Sequence, residues 1–136
     1  MYYIAVAILF IMSIFPIIPF VNDKTEKDLI DYPAVITFYD PSLGGINCDD
    51  DCTTVATGKL EPSMYGTAGA CHKDLLGRTI VFHAIDLEMK CVDTGGMIDV
   101  AYSDYYDREV LYFDILWDAD NPPEWNYWLL EKWSVR

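Results

Sequence analysis

The chain has 136 residues, with 22 Asp and Glu against 9 Lys and Arg and a net charge of −13, which is length enough for one domain and an appendage. Hydrophobic residues make up 52% and aromatic residues 15%, so a packed core is within reach. The acidic surface excludes nucleic acid as a partner, because it repels a phosphate backbone, and it argues against docking on an anionic membrane face.

No charged side chain occurs from Met1 to Asn22. Residues 1–22 read as an apolar helix, an anchor or signal segment, of about the length that crosses a bilayer. A cleaved signal peptide would carry Lys or Arg at its start and a small-residue cleavage site. Neither is present, and Pro16 and Pro19 interrupt the run. An uncleaved anchor is therefore preferred, with membrane contact through this segment. Residues 23–33 form a polar spacer.

Ala34-Val35-Ile36-Thr37-Phe38-Tyr39 is β-branched and aromatic and predicts a strand. Asp40 to Gly45 is turn chemistry. Cys48-Asp49-Asp50-Asp51-Cys52 is an acidic loop; its spacing does not match a calcium-binding EF-hand loop, and a solvated, disulfide-pinned turn is the preferred reading. Thr53 to Thr57 predicts a short strand ended by Gly58. Lys59 to Gly69 is irregular, and Leu75-Leu76-Gly77 is a turn. Thr79 to Ile85 and Glu88 to Val92 predict a hairpin across Asp86 and Leu87. Ala101 to Arg108 reads as a helical turn or short helix, and Glu109 to Trp117 as a closing strand. Glu124 to Trp133 reads as a short helix with Trp125, Trp128, Leu129 and Trp133 on one face, packed back on the domain.

The four cysteines, Cys48, Cys52, Cys71 and Cys91, follow an apolar N-terminus and read as two disulfides in an extracytoplasmic protein. A zinc site built from all four thiolates fits poorly, since only one closely spaced pair is present, and no metal or other cofactor is expected. Three pairings are possible. The expected one is Cys48–Cys52, closing a small loop, with Cys71–Cys91 tying two strands.

Cys91 to Val100 carries the most chemistry. A strand breaks at Gly95-Gly96 and resumes with Asp99 between Ile98 and Val100. A carboxylate with apolar neighbours either faces water by strand alternation or sits in a partly dry site that raises its pKa. The glycines permit a fold-back through positive φ, which would bring Asp93 near Asp99 and favour a proton on the pair. Against this, Asp93 before glycine also suits a simple turn cap. His72 and His83 have no partner visible in sequence.

Asp93-Thr94-Gly95-Gly96 followed by Ile98-Asp99-Val100 resembles the signature of the 3D (three-aspartate) domain family. Thr37-Phe38-Tyr39-Asp40-Pro41, Gly44-Gly45-Ile46-Asn47-Cys48, Ala56-Thr57-Gly58 and Leu75-Leu76-Gly77-Arg78-Thr79-Ile80 match further segments in order, over roughly residues 34–117. The sequence departs from the pattern in four ways: the gap between the aspartates is shorter, Ile98 replaces the basic or aromatic residue that often precedes the second aspartate, Leu75 stands where proline is usual, and no second binding domain accompanies the barrel. The resemblance implies a mainly β fold, a small six-stranded double-psi β-barrel (barwin-like), similar to the barrel of membrane-bound lytic murein transglycosylase A, rare lipoprotein A and the expansins. The organisation would be 1–22 anchor or signal, 23–33 spacer, 34–117 barrel and 118–136 Trp-rich tail.

The implied function is cleavage of peptidoglycan or another cell-wall polysaccharide by a lytic transglycosylase. In such enzymes one aspartic acid first protonates the glycosidic oxygen and then takes the proton of the muramoyl 6-hydroxyl. Asp99 matches the catalytic position, Asp93 its companion and Thr37 a hydrogen-bonding neighbour. Tyr39, Gly95, Gly96 and Tyr102 are the substrate-binding candidates. The alternatives are a non-catalytic, expansin-like wall binder and a structural surface or virion protein that keeps only the barrel.

Overall fold

The computed structural model describes residues 25–44, 48, 52–124, 128–130 and 132–136. The apolar segment 1–22, the aspartates 49–51 and Trp125 lie outside them. Among the described residues no helix is long and apolar enough to cross a membrane.

The protein is mainly β. Among the described residues one short α-helix, α1 (Glu26–Leu29), precedes ten strands: β1 (Ala34–Tyr39), β2 (Thr54–Val55), β3 (Gly58–Lys59), β4 (Ala68–Ala70), β5 (Thr79–Phe82), β6 (Leu87–Asp93), β7 (Val100–Ser103), β8 (Arg108–Leu116), β9 (Trp128–Leu130) and β10 (Trp133–Val135). The polar spacer contributes to packing: α1 is capped by the Asp28 carboxylate, which accepts from the Thr25 amide and hydroxyl, and Leu29 is fully buried.

β2 and β3 form a small separate hairpin. The other strands make one mixed sheet in the order β10-β5-β6-β4-β8-β1-β9, with β7 also on β8. β1 runs parallel to β8, and β4 runs parallel to β6. β4 and β8 join these two pairs antiparallel. β4 and β7 meet β8 at successive stretches, Asp114–Ile115 and Arg108–Leu111.

The period-2 alternation of strands sorts β8 into two faces. Leu111, Phe113 and Ile115 enter the larger core with Ile36, Ile80, Phe82, Met89 and Trp133. Leu116 enters a smaller cluster with Tyr39, Val55, Ala68, Ala70 and Val92. Each fully buried Leu, Ile or Phe contributes about 1.5–3 kcal/mol, so the larger cluster dominates stability. Disulfides join Cys48 to Cys52 and Cys71 to Cys91, the expected pairing. Cys71 and Cys91 are both fully buried, which welds the end of β4 to β6.

Two predicted helices are strands. Ala101 to Arg108 is the β7–β8 hairpin, turned over Asp104 to Asp107 with Asp107 at φ 52°. Local polarity suggested a helical turn, but cross-strand pairing with β8 wins. In the tail, β9 pairs with β1 and β10 with β5. The segment still packs on the domain, with Trp133 buried, but in an extended backbone. Its two strands cover opposite edges of the sheet within eight residues, Trp128 to Val135.

β4 is pinned between β6 and β8, and Gly69 makes that possible. A Cβ there would overlap the Asp114 carbonyl oxygen and sit 2.7 Å from the Met89 sulfur and 2.9 Å from Ile115 Cα. Backbone atoms cannot move aside as a side-chain tip can. Gly69→Ala is therefore expected to destabilise by about 1–3 kcal/mol or more, read as a lower urea midpoint. An unchanged midpoint would mean that β4 does not lie this close to β8.

Candidate functional site

Register across four strands puts Thr37, Asp114, Ala70 and Asp93 in one lateral row: Thr37 pairs with Asp114, Asp114 with Ala70, and Ala70 with Asp93. Paired residues share a sheet face, and this face carries the smaller cluster.

The Thr37 hydroxyl donates to Asp114 Oδ1 at 2.8 Å and lies 3.3 Å from the Phe113 carbonyl. Burial pushes the Asp114 carboxyl up from 3.8 to about 6, with the Thr37 hydrogen bond only partly opposing it. The neutral acid suits this geometry. Its own O–H can donate to the Thr37 oxygen while Thr37 donates to the Phe113 carbonyl, so every group is used. Asp40 makes the contrast. It is buried, and burial again works against its charge. Hydrogen bonds from the Ala119 and Ser42 amides, each 2.9 Å, and from the Tyr65 hydroxyl outweigh burial and hold its carboxyl below the usual range. The two aspartates, Asp40 buried and Asp114 half-buried, are thus set apart by their donors: several to Asp40, one shared hydroxyl to Asp114.

Next along the row, the Tyr39 hydroxyl donates to Asp93 Oδ2 at 3.1 Å. Asp93 Oδ1 accepts from the Ala56 and Thr94 amides, both at 2.9 Å. Asp93 therefore ties the β2–β3 hairpin to the end of β6 and caps its own turn. Burial, then the charge of Asp93, its hydrogen bond and the charge of Asp114 push the Tyr39 hydroxyl well above the usual phenol range, so it stays a donor. Tyr39 is only 9% exposed, which leaves little ring surface open for stacking.

Asp99 is not in a dry site. Its side chain is 61% exposed. Ile98 packs against the smaller cluster and Val100 against the larger one, and the carboxylate between them turns outward. The turn before it forms without positive φ at Gly95 or Gly96. Gly95 is needed for closeness instead: a Cβ there would lie 3.1 Å from the Ile98 side chain, and the Ile98 amide donates to the Gly95 carbonyl.

Asp99 does gain a neighbour that local sequence hides. His72 Nε2 lies 3.4 Å from Asp99 Oδ1. Both approach the same point of β8. The Tyr112 amide donates to the Asp99 carbonyl, and His72 stands two residues beyond Ala70, the partner of Asp114. Tyr112 and Asp114 are two residues apart on one face, about 7 Å. The candidate site is thus a strip along β8 with Asp114 and Thr37 at one end and His72 and Asp99 at the other.

Tyr102 is not brought there. It pairs with Glu109, five residues before Asp114 and about 17 Å along the strand, and its hydroxyl donates to Asp107 within the hairpin. A shallow concavity of about 510 Å³ is lined by Leu60, Pro62, Tyr65 and Asp118; none of Asp93, Asp99 or Asp114 lines it.

Asp114 and His72 are the residues that sequence reasoning missed. Asp114 carried a usable signal: Phe113-Asp114-Ile115 is the same pattern as Ile98-Asp99-Val100. His72 carried none, since its partners are set by register. Compared with known families, with curated proteins and with solved structures, the chain matches none.

Proposed function

We propose that the chain is a cell-wall glycan-acting protein, a peptidoglycan lytic transglycosylase on a double-psi β-barrel, held outside the cytoplasm by its N-terminal segment or secreted. The two disulfides are compatible with that compartment. Two parallel strand pairs joined antiparallel, in a sheet whose two edges are covered by one tail, support the barrel.

The observation that carries the activity is the Asp114 carboxyl, held beside Thr37 with its pKa near 6. A general acid works best with a pKa close to the operating pH. In this reading Asp114 gives its proton to the glycosidic oxygen as the bond to the anomeric carbon breaks. The muramoyl O6 closes on that carbon and the Asp114 carboxylate takes the O6 proton. The acid is regenerated and no water is consumed. Asp99, the position the resemblance picks, is the solvent-facing carboxylate at the other end of the strip.

Purified sacculi test this. The wild type is expected to release 1,6-anhydro-muropeptides, and Asp114→Asn to lower release at least a hundredfold, within the about 10²–10⁴-fold range for a general acid. Loss in Asp99→Asn with full activity in Asp114→Asn would return the role of acid to Asp99. Sacculus binding without release in the wild type would favour the wall-binder reading, which the openness of Asp99 and the shallowness of the concavity support.

A further inference from the structure

His72 is a buried histidine with an assigned direction. It is 6% exposed. Its Nδ1 accepts the Asp74 amide N–H at 3.2 Å, opening the short turn Lys73–Leu75. A neutral imidazole has one donor and one acceptor nitrogen. With Nδ1 accepting, the proton is on Nε2, which lies 3.4 Å from Asp99 Oδ1; the Asp74 carboxylate lies 3.5 Å from Nδ1 on the other side of the ring. A buried N–H left without an acceptor is costly, so the position of the Asp99 carboxylate is coupled to the ring. The ring itself has little freedom. Cys71 before it is bonded to Cys91, and the Cys71 amide donates to the Asp93 carbonyl.

Asp99 needs such a partner. Its carboxylate is mostly in water, and the hydrogen bond it accepts, from the Val100 amide at 2.6 Å, is from its own chain neighbour. That bond restrains the side chain but does not set which way it faces across the strip. We propose that His72 is a positioning residue for Asp99: through Nε2–H it holds the exposed carboxylate over Tyr112, facing the stretch of β8 that carries Asp114. The competing account is a histidine that only opens the turn at 73–75, using Nδ1 and leaving Nε2 without a role.

Long-range ¹H–¹⁵N spectra of the full chain at pH 7 separate the two. The expected result is the Nε2–H form of His72, with an upfield shift and faster exchange of that proton in Asp99→Ala. An Nδ1–H ring, or an Nε2 proton indifferent to Asp99→Ala, overturns the proposal. This measurement alters only an exposed residue and leaves the His72 side chain in place.

Discussion

Trp133→Ala is expected to lower the unfolding free energy by about 3–5 kcal/mol, the usual cost of emptying a buried Trp site. Trp133 is 5% exposed. Its ring meets Phe113 edge to face, with centroids 5.1 Å apart, and Phe113 meets Phe82 in the same way at 5.2 Å. The indole N–H donates to the Tyr32 carbonyl at 2.8 Å. One side chain thus joins the tail, the segment after α1 and the centre of the larger core. The loss extends beyond the cavity, because Trp133 begins β10, which pairs with β5 and is continued by reciprocal bonds between Arg136 and Thr79. Undocking the tail would uncover the β5 edge, and with β9 the β1 edge, leaving strand edges open to other chains. Urea unfolding with light scattering reads both effects. Trp133→Phe, which keeps a ring and loses the N–H, is expected to cost less, leaving about 1–3 kcal/mol from the Tyr32 carbonyl and the smaller ring. A loss below about 1 kcal/mol in Trp133→Ala would show that the tail is not part of the cooperative unit.

The same tail shows where sequence reading stops. Trp125, Trp128, Leu129 and Trp133 have helical spacing, and nothing local contradicts a helix. The backbone is extended over Trp128–Leu130 and Trp133–Val135 because partners from β1 and β5, distant in sequence, take its hydrogen bonds. Tertiary pairing overrides a short local pattern. β1 and β8 were legible for the opposite reason: Ala34 to Tyr39 and Glu109 to Leu116 are β-branched and aromatic runs bounded by turn residues. The disulfides were legible because Cys48 and Cys52 are close in sequence, while Cys71 and Cys91 flank a hairpin. The candidate site was half legible. Thr37 and Asp93 stand in the row, and Tyr39 reaches Asp93 through its hydroxyl. Asp99 and Asp114 have equivalent apolar neighbours, yet one is open and one is shielded. The difference comes from register with residues 77 positions away, as in the Thr37–Asp114 bond, which no local window contains.

That register makes Asp114→Asn the sharpest test of whether the strip is functional. The Asp114 pKa is raised from 3.8 in the unfolded chain to about 6 in the fold. Below pH 3.8 both states hold the proton. As pH rises from about 4 to 6 the unfolded chain gives up its proton first, so the fold binds more protons and stability falls through this window. Above the folded pKa the loss is complete. At about 1.4 kcal/mol per pH unit, and allowing for partial solvent exposure, it amounts to about 2–3 kcal/mol. Asparagine has no charge to bury, and its amide oxygen can still accept from Thr37. Asp114→Asn is therefore expected to be more stable than wild type by about 2–3 kcal/mol at about pH 8 and to match it at about pH 3.5. Taking the difference between the two proteins removes the opposite slope of Asp40, whose lowered pKa makes stability fall as pH drops. Equal stability at the higher pH would mean that the carboxyl is solvated and carries no raised pKa. A structural residue is not kept at a cost of this size, whereas a working acid is. Higher stability together with lost release of anhydro-muropeptides would therefore mark Asp114 as a group held in an unfavourable setting for its chemistry. Higher stability with unchanged release would leave the buried charge without a catalytic reason and move the search for the acid to Asp99.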